Sequence, residues 1–498
     1  MEEFQPAFLP RARRMALQPA RFRVVFPLLA AALLTAPAAL AQTAGEASGS
    51  AAAQPGAAAE QNQPTPEQAG TGAAPAATKS DSLWTRDKLL GDLGGVRSAL
   101  AARGIALNVL ETSEGLGNVT GGVRQGAIYE GAALMTLSVD TQKLLGLSGG
   151  SFNVSAYQIR GRGLTANNLD NLNVVSSIEA PASTRLFELR YDQSFLDGKL
   201  SLRFGQLAAD QEFLITQYGG WFINSGFGWP TLAALDLPEG GPAYPLATPG
   251  IRLKAQPTDQ LALLAGVFNG NPADNGSGTS FHVDNGVFAI AEAQYAINGG
   301  AHPLGLPGTY KIGAWYDSNT SASQGQRFGG GPLLSAPARS GASLYSSGNW
   351  SAYAVADQMI YRVPGTKDQG IGLFLSFMGA PNSGNLVDFD LVTGANYKGI
   401  IPGRPDDTAG IGLIYTRISD QVSQSDMETG FYSGSLYPIG RSETVLELTY
   451  QIQMAPWWTL QPDFQYLFNP GGSLPNPNNP TEPIADAAIF GLRTTIQF

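Results

Sequence analysis

The chain contains no cysteine and only two histidines, His282 and His302, among its 498 residues. Without cysteine it cannot form disulfides, thiolate metal sites or a cysteine nucleophile. The two histidines fall in two different predicted connections, so a Ser-His-Asp relay has little support. No glycine-rich phosphate loop follows a predicted strand and opens a helix. We therefore predict that the protein is not an enzyme and binds no cofactor.

Basic residues are also scarce, with 30 Lys and Arg against 40 Asp and Glu and a formal net charge of −10. This acidic balance argues against a nucleic-acid partner, because the phosphate backbone attracts clustered Lys and Arg. Long apolar runs are missing as well. Beyond the first 41 residues, no segment offers the ~20 apolar residues that a membrane-spanning helix needs.

The amino-terminal residues predict export. Five arginines precede an apolar run from Val24 to Leu40, which ends in Ala39-Leu40-Ala41. A basic region, a short apolar region and an Ala-x-Ala site are typical of a secretory signal peptide, here residues 1–41. Residues 42–82 are rich in Ala, Gly, Pro and Gln, so we predict a disordered periplasmic segment there. The segment 83–104 is predicted to be helical, with a short helix over 95–103 that Gly104 ends.

From Ile105 onward the apolar pattern changes to a period of two. In the last segment, Phe490, Leu492 and Ile496 alternate with Arg493 and Gln497, as in a barrel strand between lipid and water. Sixteen such segments are predicted as strands, at 105–116, 126–141, 151–161, 184–192, 199–207, 249–256, 260–268, 286–297, 309–318, 350–361, 370–379, 386–400, 408–418, 441–453, 457–468 and 486–498.

The connections between these strands alternate in length. The longest irregular stretches, 162–183, 208–248, 319–349, 419–440 and 469–485, all follow odd-numbered strands. Outer-membrane barrels have short periplasmic turns and long extracellular loops, and a soluble β-sandwich would not produce this parity. The sequence therefore predicts an all-β fold: a transmembrane antiparallel β-barrel of about 16 strands over 105–498, preceded by a short periplasmic helical segment.

A barrel of sixteen strands is too wide for its own side chains to fill, so it leaves an aqueous channel. The connection 208–248 contains Asp210, Glu212, Trp221 and Trp229, and its Gly, Pro and aromatic residues suit a fixed loop. We predict that this loop folds into the lumen and narrows it.

Charged residues cluster on the strands beside that loop. A charge that faces lipid costs about 2–4 kcal/mol near the midplane, so most of them should face the lumen. We predict a constriction in which Arg and Glu hydrogen-bond a polar neutral solute, with Arg160, Arg162, Glu188 and Arg190 at its narrowest point and Arg185 close by. Arg203, Arg252 and Lys254 extend the cluster, and the alternation places Arg160, Glu188, Arg190, Arg252 and Lys254 on the watery face.

Several of these residues lie in motifs that resemble the carbohydrate-selective porin family, the OprB type. The motifs are Leu89-Leu-Gly-Asp-Leu-Gly-Gly-Val-Arg97, Gln158-Ile-Arg-Gly-Arg-Gly-Leu164, Gly205-Gln-Leu-Ala-Ala-Asp210, Phe227-Gly-Trp-Pro230 and Gly241-Pro-Ala-Tyr-Pro245. One position differs, because the first motif of the family carries Trp where this chain has Leu93. The resemblance implies a sixteen-stranded channel for mono- and small oligosaccharides in the outer membrane of a Gram-negative bacterium, with an eyelet lined by Arg and Glu.

Two other functions stay open at this point. One is an unselective general porin that passes ions as readily as sugars. The other is a plugged structural or adhesive outer-membrane barrel that conducts nothing. The expected partners are small sugars as solutes and outer-membrane lipid. A second copy of the chain, and peptidoglycan contacted through residues 42–82, stay open as further partners.

Overall fold

The protein forms a closed antiparallel β-barrel of sixteen strands. The computed structural model describes residues 82–272, 275–298, 305–327 and 343–498. The barrel strands are β1 (Ile105–Asn118), β2 (Gly126–Asp140), β3 (Gly150–Gly161), β4 (Ser183–Phe195), β5 (Leu200–Leu207), β6 (Thr248–Ala255), β7 (Leu261–Asn269), β8 (Val287–Ile297), β9 (Gly308–Arg327), β10 (Ser343–Arg362), β11 (Gly370–Gly379), β12 (Val387–Lys398), β13 (Thr408–Ile418), β14 (Ser442–Ala455), β15 (Trp458–Phe468) and β18 (Ala487–Gln497). All sixteen predicted strands are present.

The first and last strands close the barrel, with Glu114 paired to Arg493 and Gly115 to Leu492. Because side chains alternate across a strand, this register fixes which residues face inward. Leu492 is 48% exposed on the outer face, whereas the inward Arg493 is 8% exposed. The predicted alternation of the last strand is therefore confirmed. Among the residues that the structure describes, no helix is long and apolar enough to cross a membrane.

The chain enters the barrel through a short helix, α1 (Val96–Ala102), which confirms the helix predicted over 95–103. The segment before α1 is hydrogen-bonded to the barrel at the ends of β15 and β18. Leu89 N donates to the carbonyl of Gln497 at 2.8 Å, and Trp457 Nε1 donates to the carbonyl of Leu83 at 2.7 Å. The predicted signal peptide (1–41), all but the last residue of the segment 42–82, and His302 lie outside the described residues.

Three predicted irregular stretches contain regular structure. The stretch 419–440 contains the helix Asp420–Ser433, which has no buried residue and so shows no apolar periodicity in the sequence. The stretch 319–349 is partly strand, because β9 continues to Arg327 and β10 begins at Ser343. Loop 8 (residues 469–486) holds a small hairpin of β16 (Pro475–Asn476) and β17 (Asn479–Pro483). These elements were not predicted because their sequences are polar and show no apolar periodicity.

Loop 3 (residues 208–247) contains a short helix, Thr231–Asp236, and packs against the inner wall of the barrel. Its Phe213 and Leu232 form one apolar cluster with wall residues such as Phe288, and its Phe222 and Phe227 pack against Phe374 in a second. The hydrophobic core of this protein therefore lies inside the barrel, between the loops and the wall.

Because β5 and β6 are short, the first half of β4 has no strand partner on the side that faces β5. Loop 4 (residues 270–286) covers it: Leu186 N donates to the Ser277 carbonyl at 2.9 Å, and Gln206 Nε2 donates to the Gly278 carbonyl at 2.8 Å. Gly278 has φ +68°, and a Cβ there would lie 1.9 Å from the Leu186 carbonyl oxygen, so this contact requires glycine. Loop 4 thus closes the wall where loop 3 turns inward.

Candidate functional site

A row of charged side chains lines the inner face of β4, β5 and β6. Arg190 lies opposite Gly205, Asp192 opposite Arg203, and Arg203 in turn opposite Arg252. A β-bulge in β4 between Leu186 and Leu189 turns Phe187 inward together with Glu188, where simple alternation would separate them. We call the side chains of Arg190, Arg203, Arg252 and Lys254 the basic strip.

The arginines of this strip are bound to carboxylates. Arg190 pairs with Glu188 and, at 3.2 Å, with Asp192, which Arg203 contacts at 2.5 Å. Arg252 holds Glu212 of loop 3 through both nitrogens of its fork, with Nη2 to Oε1 at 2.8 Å. Such charge-assisted bonds fix the direction of each guanidinium. The arrangement is a continuous ladder of alternating charge that ties loop 3 to the wall.

The predicted residues Asp210 and Glu212 lie at the start of loop 3. Burial would raise the pKa of Glu212, but Arg203 and Arg252 beside it hold that pKa below its usual value. Burial raises the pKa of Asp210 to about 7, although the amide of Tyr244 donates to its Oδ2 at 2.9 Å. Glu212 is therefore ionised at neutral pH, while Asp210 titrates there.

The opposite wall carries acids that serve the loops. Five inward carboxylates on β8, β10, β12 and β14 accept hydrogen bonds from backbone amides: Glu292 from Leu214, Asp357 from Gln217 and Tyr218, Asp390 from Leu232, Glu447 from Ile223 and Asn224, and Glu443 from Leu172, Asn173 and Gly471. A buried carboxylate is costly unless such donors satisfy it. These acids act as anchors that hold the loops, and they are not offered to a passing solute.

The anchoring leaves one side of the lumen open. Inward residues of β10 to β15, such as Val355, Ile414 and Gln465, are almost completely buried beneath the loops. By contrast, inward residues of β2 to β5, such as Thr136, Asn153, Arg190 and Arg203, stay partly exposed, as does Lys254 of β6, whereas Arg252 is buried. Beside these residues lies a recess that Thr136, Asn153 and Ser155 line together with Glu188 and Arg190.

The predicted aromatic residues lie within the packing of loop 3. Trp229 packs against the first apolar cluster and donates from Nε1 to the Gly240 carbonyl at 3.0 Å. Trp221 packs against the second cluster, and Gln461 of β15 donates to its carbonyl at 2.9 Å. Both residues hold the loop in place. Arg185 faces inward from β4, opposite Tyr157, and is buried.

Arg160 does not face the lumen, which corrects the predicted orientation. It lies opposite Gly131, which lies opposite Ser113, and all three are on the outer face of the barrel. The two faces of β3 are similarly apolar, with Tyr157 and Ile159 inward, so alternation alone did not distinguish them. Arg162 follows β3, is exposed, and lies outside the lumen-lining set as well.

The guanidinium of Arg160 is saturated by its neighbours on the outer face. Nε donates to Tyr129 Oη at 3.3 Å, Nη1 to Gln158 Oε1 at 3.1 Å, and Nη2 to Ser113 Oγ at 3.3 Å. Glu111 accepts from both Nη1 and Nη2. All five N–H groups thus have an acceptor. Apart from Arg417 and Asp388 near the loop end of β12 and β13, no other charged side chain faces outward from the strand residues whose side chains are described.

The five anchoring carboxylates were not predicted from the sequence. Each lies at an inward position of a strand that has few inward bases, as Glu443 and Glu447 do on β14. An inward acid without a basic neighbour could have been read as a partner for loop amides. The chain does not say which loop supplies those amides, so the contacts themselves required the tertiary structure.

Known proteins resemble this chain in sequence and in fold. A family model described as "Carbohydrate-selective porin, OprB family" matches residues 124–498. The chain is 24% identical over 450 residues to Porin B of Pseudomonas aeruginosa, covering 84% of this chain and 92% of that protein. It is 23% identical to the putative porin QuiX of Acinetobacter baylyi, covering 84% and 96%. The high-pH structure of Pseudomonas putida OprB has the same fold, with a TM-score of 0.75, 24% identity, and coverage of 84% of this chain and 100% of that one.

Proposed function

Because this chain belongs to the OprB family of carbohydrate-selective porins, we propose that sugars cross along the basic strip, in the half of the lumen that loop 3 leaves open. The protein is an outer-membrane channel for small carbohydrates. The observation that carries the proposal is the division of the lumen, with loops anchored on acids at one wall and partly exposed charged residues, such as Arg190 and Arg203, at the other.

The ladder suits a neutral polyol. Each guanidinium offers a planar fork of donors that matches neighbouring hydroxyl groups, and the carboxylates between them accept hydroxyl protons. Since each arginine of the strip is already bound to a carboxylate, the hydroxyl groups of a sugar replace only some of these hydrogen bonds. Binding is then weak and quickly reversed, as conduction requires.

The same division sets the local charge. This side of the lumen carries the four bases of the basic strip against Glu188, Asp192 and Glu212. The acids of the other wall are covered by loops. A slightly positive path disfavours cations even though the whole chain is acidic. The outward apolar residues, such as Phe490 and Leu492, meet lipid in this proposal.

Liposome swelling with sugars of graded size, run beside amino acids and salts, tests the proposal. We expect small sugars to pass faster than amino acids of equal size, with a steep decline above small oligosaccharides. Arg190→Gln should blur that discrimination. Arg103→Gln makes the same charge change at an exposed residue after α1 and serves as the matched control.

Two outcomes would contradict the proposal. Equal rates for sugars, amino acids and salts would indicate an unselective porin. No swelling with any solute, in protein that shows the heat-shifted mobility of a folded barrel, would indicate a plugged barrel.

A further inference from the structure

Lys254 differs from the three arginines of the basic strip because it has no bound partner. It faces inward near the end of β6, opposite Ser201 on β5 and Leu264 on β7, and is partly exposed. Among the described part of the chain, no side chain or carbonyl pairs or hydrogen-bonds with its ammonium group. An ammonium group has three donors, so those of Lys254 must be met from the lumen.

The acids near Lys254 are already occupied. Asp192 accepts from Arg203 through Oδ1 and from Arg190 and Asn153 through Oδ2. Glu212 accepts from Arg252 through both oxygens, and its Oε2 lies 3.5 Å from Arg203. Neither carboxylate can turn to Lys254 without releasing an arginine. Lys254 therefore carries a positive charge that is not paired with an acid, at the end of the basic strip away from the base of loop 3.

We propose that Lys254 binds the carboxylate of sugar acids, that is, polyhydroxylated monocarboxylates of the size of a monosaccharide. A carboxylate offers the acceptors that the ammonium group lacks, and it is ionised at neutral pH. The hydroxyls of the same solute reach the ladder above, where Arg252 and Ser201 already form a hydrogen-bonded pair at 2.9 Å. This inference rests on the proposed function and extends it from neutral sugars to their acids.

The test compares glucose with glucuronate, which share the same pyranose ring and differ only at the exocyclic carbon, where glucuronate carries a carboxylate in place of CH2OH. In planar bilayers at low salt, glucuronate should reduce the single-channel current at about fivefold lower concentration than glucose, as expected of one partly exposed ion pair. Lys254→Gln should remove this difference and Lys254→Arg should keep it. Lys199→Gln, at an exposed position in the turn between β4 and β5, should leave it intact. Since exposed charges are screened, the advantage should fade at about 1 M salt.

The outcomes separate this inference from the proposed function. If glucose passes and blocks but glucuronate shows no advantage, or keeps its advantage in Lys254→Gln, the assignment of Lys254 is wrong and the sugar channel stands. If glucose itself neither passes nor blocks, the proposed function fails. An advantage lost equally in Lys199→Gln would show a general surface-charge effect and would also overturn the assignment.

Discussion

The outward ion pair of Arg160 and Glu111 makes a sharp prediction about stability. Glu111→Ala removes two of the acceptors around the guanidinium and leaves its charge unpaired on the lipid face. An arginine facing lipid costs about 2–4 kcal/mol at the midplane and less toward the interface. Arg160 is the second-to-last residue of β3, so we expect a loss of about 2 kcal/mol from the low end of that range.

Replacing both partners should cost far less than replacing Glu111 alone. Exchange of a saturated buried ion pair for apolar residues is often neutral or stabilising, because the desolvation cost disappears with the charges. The double variant Glu111→Leu/Arg160→Leu should therefore unfold close to the native protein. Gly131 lies on β2, between the strands that carry Glu111 and Arg160. A Cβ at Gly131 would lie 3.0 Å from Arg160 Cζ, so Gly131→Ala should also displace the guanidinium.

Urea unfolding in phospholipid vesicles, followed by tryptophan fluorescence and by heat-shifted gel mobility, measures these differences. Arg162→Ala is the control, since that side chain is exposed just beyond the strand. It should shift the free energy of unfolding by no more than about 0.5 kcal/mol, as ordinary surface changes do. Two results would refute the view that the pair is a saturated network in lipid. One is a loss of unfolding free energy below that value for Glu111→Ala. The other is a loss in the double variant that equals the sum of the losses in the two single variants.

Three further outcomes follow from the anchored loops and the barrel closure. Shortening loop 3 around 221–230 together with Glu447→Gln should raise single-channel conductance. The reason is that this segment supplies the amides that Glu447 binds. Unchanged conductance in a folded variant would place the constriction elsewhere. Deleting Phe498, whose amide donates to the Val109 carbonyl at 2.9 Å, should impair assembly, and normal heat-shifted mobility would contradict this. Because burial raises the pKa of Asp210 to about 7, loop 3 should become less stable as pH rises from about 4 through 7 and current noise should grow; Asp210→Asn should flatten that dependence.

The barrel itself could be predicted from the sequence because its signals are local. A period of two in the apolar pattern marks each strand, and turn residues mark the connections. The parity of long and short connections then predicts the closed barrel. In the last strand the pattern also gives the facing of each residue, because Phe490 and Leu492 contrast sharply with Arg493.

The inward or outward direction of side chains was predicted wrongly where the two faces of a strand are alike. Both faces of β3 mix apolar and polar residues, so Arg160 could be assigned inward although it lies outside. Alternation tells only that neighbours point to opposite sides. The register with β2, where Gly131 makes room for the guanidinium, decides which side is outside.

The site divides in the same way. The sequence by itself placed Glu188, Arg190, Arg252 and Lys254 on one inward face, because their spacing within β4 and β6 is local. Only the tertiary structure decided which charges remain exposed to the lumen. Loop 3 lies within the sequence between β5 and β6, yet its amides bind anchoring carboxylates that are between 78 residues (Glu292) and 224 residues (Glu447) away. Such contacts depend on the closure of the whole barrel, which no local pattern encodes.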